Sequence, residues 1–222
     1  MTPQLKPTYV LLLNLFRDQL DRFGEIDRIQ ATIAEALAKT PETTFVFNGD
    51  DPLCAAIADR IPNKALAFGI ASDMGLSADR ISDSRFCQKC GGALEYDYVH
   101  YGQLGAYRCP DCGWARPELA FAATNVRLEE DGFVFDIDGR SVHTGHTGAY
   151  MVYNVFAAYV ISKLSSIVSF ENYQAAVREY HPTNGRLQTF DLGERKVMTN
   201  LAKNPTGFNQ NIRIVLNERG RV

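Results

Sequence analysis

The sequence predicts an α/β fold with a mostly parallel sheet and an inserted four-cysteine zinc ribbon. Two observations support this prediction. Apolar, strand-like runs alternate with helical segments over roughly the first 70 residues, and this alternation is typical of parallel strands joined by helices. Two Cys-x-x-Cys pairs then follow with 18 residues between them, a spacing typical of a structural zinc site.

The first third of the chain predicts three strands and two helices. Continuous apolar runs, typical of buried parallel strands, cover residues 9–15, 44–47 and 65–69. Residues 26–39 carry apolar side chains at helical spacing. A second helix covers residues 52–61, where Asp51 can cap the first turn and Pro52 suits its first position. Polar residues follow the first two strands, where α/β proteins place ligand groups.

The predicted zinc ligands are Cys87, Cys90, Cys109 and Cys112. A Cys-x-x-Cys pair can form a tight turn that points both sulfurs at one atom, and Gly91 and Gly113 follow the pairs where backbone angles that suit glycine are needed. Thiolates suit Zn²⁺, and four of them leave no open coordination position, so the site is structural. The alternatives are a chance spacing or disulfides, and disulfides would need an oxidising compartment.

The second half of the chain predicts short antiparallel strands, then helices. Turn residues at 130–132 and 138–139 divide residues 120–145 into strands. The segment 148–164 is apolar on nearly all sides, which indicates a buried helix, and a second helix covers 170–180. Two more strands and a last helix are predicted over residues 187–190, 197–201 and 208–216.

The composition excludes some classes of function. The chain of 222 residues is 45% hydrophobic and 22% charged, as expected for a soluble globular protein. It has neither a membrane-length apolar run nor a start that resembles a signal peptide, so we expect a cytoplasmic protein. A net charge of −3, with balanced charges around the ribbon, argues against a nucleic-acid partner.

Five short blocks, in order, resemble the Mur ligase family. They lie at residues 14–25 (NLFRDQLDRFGE), 48–52 (NGDDP), 148–158 (GAYMVYNVFAA), 184–186 (NGR) and 203–205 (KNP). The inserted ribbon, Gln19 in place of the family's usual histidine, and the segment 201–210 (LAKNPTGFNQ) resemble the MurT subfamily. The resemblance implies four regions, namely a first part of the central domain (1–84), the ribbon (85–117), the remainder of the central domain (118–183) and the start of a C-terminal domain (184–222).

The resemblance also implies an activity. A MurT-like ligase uses ATP and Mg²⁺ to phosphorylate the α-carboxylate of D-glutamate in lipid II, at the membrane surface. Ammonia released by a glutamine amidotransferase partner, GatD, then forms D-isoglutamine for peptidoglycan synthesis. Phosphorylation provides a leaving group, and cations hold its charge. Two alternatives are a zinc-ribbon protein-interaction module and an inactive ligase remnant.

The resemblance assigns nucleotide-site roles to five residues. Asp18 matches a position near the Mg²⁺–phosphate site, or caps the next helix from a solvated loop. Asn154 matches an adenine contact, or is a satisfied polar group in a buried helix. Arg186 matches an arginine near ribose and phosphates, or forms a surface ion pair. Lys203 and Asn204 match a hinge block that reaches the nucleotide, or form an ordinary turn. Whether a second Mg²⁺ binds is left open.

Five other polar or sulfur-containing residues are predicted to have structural roles. Asp50 and Asp51 are expected first in a turn and a helix cap, and Cys54 as a buried small apolar group. His143 and His146 flank a glycine-containing turn without cysteine or carboxylate neighbours in the sequence, so they are expected to be ordinary polar residues.

Two parts of the family pattern are missing. The chain contains no glycine-rich phosphate loop, which Mur ligases carry upstream of the block at Asn14, and only thirteen residues precede that block. The family's C-terminal domain extends beyond Val222, and the acidic residue that acts with the amidotransferase lies in that part, so no catalytic residue is assigned. We therefore expect a fragment that is inactive by itself.

Overall fold

A computed structural model describes residues 5–17, 25–76, 83–181 and 185–217. In chain order its elements are β1 (Tyr9–Leu12), α1 (Ile26–Ala38), β2 (Thr44–Asn48), α2 (Pro52–Ala58), β3 (Ala65–Ile70), β4 (Glu95–Tyr101), β5 (Leu104–Arg108), β6 (Phe121–Glu129), β7 (Gly132–Ile137), β8 (Arg140–His143), α3 (Ala149–Ser165), α4 (Phe170–Glu179), β9 (Gln188–Asp191), β10 (Lys196–Thr199) and α5 (Pro205–Asn217).

Within the described residues, a sheet of six strands forms the centre of the molecule, in the order β1-β2-β3-β6-β7-β8. The first four strands are parallel, whereas β7 and β8 extend the sheet as antiparallel hairpins. The predicted α/β class with a mostly parallel sheet is confirmed. The chain leaves the sheet after β3 and returns at β6, and the ribbon occupies this crossover.

Alternate residues of each parallel strand face opposite sides of the sheet. In β2, Val46 belongs to the core that packs against α3, whereas Phe45 and Phe47 belong to the core under α1 and α2. Because both faces are covered, the strands are continuous apolar runs instead of alternating ones. Helix α3 is buried on nearly all sides, as its composition predicts.

The first strand ends earlier than its apolar run predicts. The run extends to Leu15, but β1 ends at Leu12. The backbone N–H of Leu15 donates to the carboxylate of Asp51 at 2.8 Å and therefore has a side-chain partner instead of a strand partner. Helix α2 likewise ends at Ala58, short of the predicted residue 61.

The ribbon is a hairpin, β4 and β5, with a cysteine turn before and after it. Its aromatic residues do not form a separate small core. Tyr107 and Trp114 pack into the cluster around α1 and α2, while Tyr101 and Leu104 pack into the cluster around α3. The hairpin thus shares its core with the sheet.

The last described segment is the hairpin β9–β10 followed by α5. Asn204 precedes α5, and its Oδ1 accepts a hydrogen bond from the Gly207 N–H at 2.7 Å, so it caps the helix, with Pro205 at the first position. None of the helices in the described ranges is long and apolar enough to cross a membrane.

Candidate ligand cavity and metal centre

A cavity of about 330 Å³ lies between α3, the loop that follows β1 and the segment around α5. It contains two cations, Arg186 and Lys203, and no described lining residue is a carboxylate. Its carboxamides are Asn14, Asn154, Asn200, Asn204, Gln210 and Asn211, and its aromatic residues are Phe16, Tyr101, Tyr150 and Tyr180. The lining combines positive charge, hydrogen-bonding amides and flat apolar surface.

Four of the five predicted nucleotide-site residues line this one cavity, although they lie as many as 50 positions apart in the chain. They are Asn154, Arg186, Lys203 and Asn204. The fifth, Asp18, lies outside the described residues. The fold brings these four side chains to one cavity. Their role in binding a nucleotide stays a prediction.

Asn154 is exposed, although the residues on either side of it in α3 are buried. In the part of the chain that the structure describes, its side-chain nitrogen makes one weak hydrogen-bond contact, 3.9 Å from the sulfur of Met151. The alternative of a satisfied polar group inside a buried helix is therefore wrong. An exposed amide on an otherwise apolar helix is available to a ligand.

Arg186 and Lys203 are both exposed. Among the described residues neither forms an ion pair. The alternative of a surface ion pair for Arg186 thus finds no described partner. Two lining cations without an ion-pair partner in the described ranges favour an anionic ligand in this cavity.

Three cavity amides on or beside α5, namely Asn200, Gln210 and Asn211, were given no individual role from the sequence. Gln210 is 3% exposed, and its side-chain nitrogen has no partner among the described residues. Asn200 donates to Asn211 at 2.5 Å, which joins the segment after β10 to α5. Amide side chains on one face of an amphipathic helix predict a ligand site only when the fold shows that this face borders the cavity.

Asp50 is not a simple turn residue. It is fully buried, and its carboxylate accepts hydrogen bonds from Arg116 at 3.0 Å, from the Ile70 N–H at 2.8 Å and from the Tyr153 hydroxyl at 2.8 Å. His100 in turn lies 2.6 Å from the Tyr153 hydroxyl oxygen. This network joins the end of β2 to the ribbon and to α3.

Burial shifts the pKa of two ionisable members of this network, Asp50 and His100. It raises the pKa of Asp50, against the nearby charges of His100 and Arg116 and the Ile70 N–H. It also lowers the pKa of His100.

Asp51 accepts a hydrogen bond from the Leu53 N–H at 2.9 Å, which confirms the predicted cap of α2. Burial raises the pKa of Asp51 to about 6.

Cys54 is buried in the apolar cluster under α1 and α2, and its sulfur lies 3.5 Å from Asp51 Oδ2. This confirms the prediction of a small apolar group.

His143 lies 3.0 Å from Asp131, and His146 packs edge-on against Tyr180. Neither histidine belongs to a metal-ligand cluster among the described residues.

The four predicted cysteine ligands form one cluster, in which all four sulfurs lie within 4.8 Å of one another. Cys87 and Cys112 are 3.6 Å apart and Cys90 and Cys109 are 3.5 Å apart. A tetrahedral site with Zn–S bonds of about 2.3 Å requires S···S distances of about 3.8 Å. The sulfur geometry therefore fits a tetrahedral metal ion of this size.

The two cysteine turns have the same backbone pattern. Gly91 and Gly113 have φ values of +79° and +75°, and their N–H groups donate to Cys87 and Cys109 carbonyls at 2.9 and 3.0 Å. These are the left-handed angles that glycine adopts without strain. Burial opposes the Cys87 thiolate, but hydrogen bonds from the backbone N–H groups of Cys90 and Lys89 and from the thiols of Cys112 and Cys109 together lower the pKa of Cys87 to about 7.

A family model described as the Mur ligase middle domain matches residues 2–162. The chain belongs to this family. It is 34% identical over 214 residues to the lipid II isoglutaminyl synthase (glutamine-hydrolyzing) subunit MurT of Streptococcus pneumoniae, and 30% identical over 213 residues to the same subunit of Staphylococcus aureus. Each match covers 95% of this chain and 47% of the relative, so the chain spans about half the length of these proteins.

A solved structure extends the likeness to the fold. The pseudomurein peptide ligase type C of Methanothermus fervidus superposes with a TM-score of 0.75 at 23% identity, over 97% of this chain and 42% of the other. At that identity the match supports the Mur ligase fold alone. The resemblance that the five sequence blocks predict is confirmed at the level of the family, and the similarity to MurT subunits covers nearly the whole chain.

Proposed function

We propose that this Mur ligase chain belongs to an ATP-dependent carbon–nitrogen ligase that amidates the α-carboxylate of D-glutamate in lipid II to D-isoglutamine. The single observation that supports it best is the cavity shared by Asn154, Arg186, Lys203 and Asn204. We assign this cavity to the nucleotide. The similarity to MurT subunits supports the choice of substrate.

The chemistry of the lining suits a nucleotide. The cations Arg186 and Lys203 match phosphate charge, and the absence of carboxylates among the described lining residues avoids repulsion. Asn154 presents an amide that can bind a base edge, and Tyr150 offers an aromatic surface near it. Gln210 adds a buried donor that has no described protein partner.

In this proposal ATP supplies the phosphoryl group that activates the carboxylate, with Mg²⁺ to balance charge. The chain's own residues bind and orient the nucleotide. Arg186 and Lys203 hold negative charge, and Asn204, which caps α5 with its side-chain oxygen, also lines the cavity. No described residue is assigned as the catalytic group. Asp18 stays a proposed Mg²⁺–phosphate residue outside the described ranges.

The remaining parts of the proposal rest on the relatives. The relatives are named as subunits of a glutamine-hydrolyzing synthase, which supports a glutamine amidotransferase partner of the GatD type as the source of ammonia. The proposed setting is the cytoplasm, where the complex meets lipid II at the membrane surface. The cysteine cluster is proposed to hold structural Zn²⁺. The region boundaries at residues 85, 118 and 184 are part of this proposal.

The test is titration of the full-length protein with Mg-ATP by calorimetry, because the family's phosphate loop has no counterpart in these residues. We expect Arg186→Ala to weaken binding about tenfold or more, through loss of a charge-assisted contact. Asn154→Ala should weaken it about fivefold. Arg178→Ala is the matched control, since this arginine lies on α4 and bonds to Gln174 of the same helix.

Wild-type affinity in both cavity variants would overturn the assignment of the cavity. If the full-length protein binds no ATP but retains a protein partner that depends on Cys87 or Cys109, the interaction-module alternative is correct. If it binds neither, the inactive-remnant alternative stands. Production of amidated lipid II with a glutaminase subunit would establish the reaction itself.

A further inference from the structure

The ribbon reaches the ligand cavity with the end opposite to its metal centre. Its cysteine turns flank the outer ends of β4 and β5, and the seven residues of β4 span about 20 Å. The turn between the two strands contains Gly102 and Gln103. Tyr101, the last residue of β4, is one of the cavity-lining residues. The hairpin therefore extends from the metal centre to the cavity.

The turn of the hairpin packs against the loop that follows β1. Phe16 of that loop, itself a cavity residue, stacks on Tyr101 with ring centroids 6.0 Å apart. Gly102 is so close that an added Cβ would lie 2.7 Å from the Phe16 ring and 3.3 Å from the methyl group of Thr206. Gly102 therefore fits between the loop that follows β1 and Thr206 of α5, where a Cβ atom would clash.

Gln103 joins the ribbon to this loop by hydrogen bonds. It is fully buried, and its Nε2 donates to the Leu15 carbonyl at 2.8 Å. The same nitrogen lies 3.5 Å from both carboxylate oxygens of Asp51. Asp51 in turn accepts from the Leu15 N–H at 2.8 Å. Both backbone groups of Leu15 are therefore held, one by Asp51 and one by the ribbon.

The hairpin is also attached to the sheet behind the loop. The Gly105 N–H donates to the Asp50 carbonyl at 3.0 Å, and Arg116 bonds to the Asp50 carboxylate. The first contact fixes the hairpin, and the second fixes the residues after the second cysteine turn, to the carboxyl end of β2. A displacement of the hairpin would therefore move Tyr101, which lines the cavity, and release Leu15, whose neighbours Asn14 and Phe16 line it.

We propose that the ribbon hairpin is a structural wall of the ligand site and that Gln103 is a positioning residue, which holds residues 14–17 in the conformation that binds ligand. The identity of the ligand rests on the proposed function. The position of the loop does not depend on the proposed function, because contacts within the protein determine it. The inference gives the metal ribbon a role in ligand binding besides its own stability.

The experiment compares Gln103→Met and Gln103→Ala in the full-length protein. Methionine keeps the length of the side chain and lacks the donor, so it tests the hydrogen bond if the alanine variant does not fold. Arg108→Ala is the control, because Arg108 lies on the same hairpin and its pairs with Glu95 and Asp97 are exposed. Three quantities are measured: zinc content, hydrogen exchange at Leu15 and Phe16, and affinity for Mg-ATP.

We expect both Gln103 variants to retain zinc, to exchange the Leu15 amide about tenfold faster and to bind Mg-ATP about tenfold more weakly. The control should match the wild type in all three. Unchanged exchange in Gln103→Met overturns the proposal, and so does faster exchange with wild-type affinity. If the wild type binds no ATP, the proposed function fails, and exchange at Leu15 alone then supports or overturns the positioning role.

Discussion

Arg116 of the ribbon and Asp50 at the end of β2 form an ion pair inside the protein, with Nη1 3.0 Å from Oδ1. The carboxylate is fully buried, whereas the arginine side chain is 20% exposed. The same guanidinium nitrogen contacts the Ile70 carbonyl and the Tyr98 hydroxyl, each at 3.1 Å. The pair therefore links the ribbon, β2 and β3 through one nitrogen.

Removing the arginine should leave a buried charge without its partner. We expect Arg116→Met to lower the free energy of unfolding by about 3 kcal/mol, measured by urea denaturation. Addition of Asp50→Asn should restore part of the loss, because it removes the unpaired charge. The exposed pair of Arg127 and Glu129 is the control, and Arg127→Met should change stability by less than about 1 kcal/mol. Equal effects at the two sites would contradict the prediction.

Gly102→Ala should perturb the cavity as well as the turn. Gly102 has a φ of +57° and lies against Phe16, whereas Gly139 has a φ of +72° and nothing within 4 Å of its added Cβ. Both alanine variants carry the backbone strain, about 1 kcal/mol. Only Gly102→Ala should also displace Phe16, so it should unfold at a clearly lower urea concentration. The idea fails if Gly139→Ala is equally destabilised.

Metal removal should destabilise the sheet as well as the ribbon. Cys87, Cys109 and Trp114 belong to the same apolar cluster as Phe45 and Phe47 of β2. We therefore expect Cys109→Ser, or a chelator, to shift the fluorescence of the single tryptophan and to lower the melting temperature of the whole molecule by several degrees.

Cys54→Ala is the control for the metal prediction, because Cys54 is buried outside the cysteine cluster. It should leave the zinc content unchanged. A Cys109→Ser variant with full zinc content would show that four ligands are not required. Tryptophan fluorescence that changes without any loss of melting temperature would show that the ribbon folds independently of the sheet.

Asp51 should make stability depend on pH in an unusual direction. Burial raises its pKa from 3.8 to about 6. Because the pKa of Asp51 is higher in the folded state, the contribution of this carboxyl group to the free energy of unfolding is fully present below pH 3.8. That contribution is lost as the pH rises through about 6. Relative to Asp51→Asn, the wild type should therefore be about 1 kcal/mol more stable at pH 5 than at pH 7.

The comparison with Asp51→Asn removes the pH dependence of the other carboxylates from the measurement. Chemical denaturation at pH 5, 6 and 7 in the two proteins provides the difference. The opposite trend would mean that the N–H groups of Leu15 and Leu53, together with the start of α2, stabilise the ionised carboxylate more than burial disfavours it. The pKa of Asp51 would then lie below 3.8.

Much of the fold could be predicted because its signals are local. The apolar run of β2, the cap at Asp51 and the turn at residues 138–139 each depend on neighbours within a few positions. The signal of the four cysteines is also local, because each Cys-x-x-Cys pair spans only four positions. The chemistry of sulfur limits which metal ions they can bind. The boundary of β1 was predicted less well, because the Leu15 N–H finds its partner in Asp51, 36 residues away.

The sequence by itself thus determined the α/β class, the cysteine cluster and the family, all of which rest on spacing and residue type. Only the tertiary structure decided that Asp50 is a buried partner of Arg116, that Asn154 is exposed on a buried helix, and that the ribbon reaches the cavity through Gln103. The physical reason is distance along the chain. Burial and hydrogen-bond partners are set by segments that meet only after folding, and no local pattern encodes them.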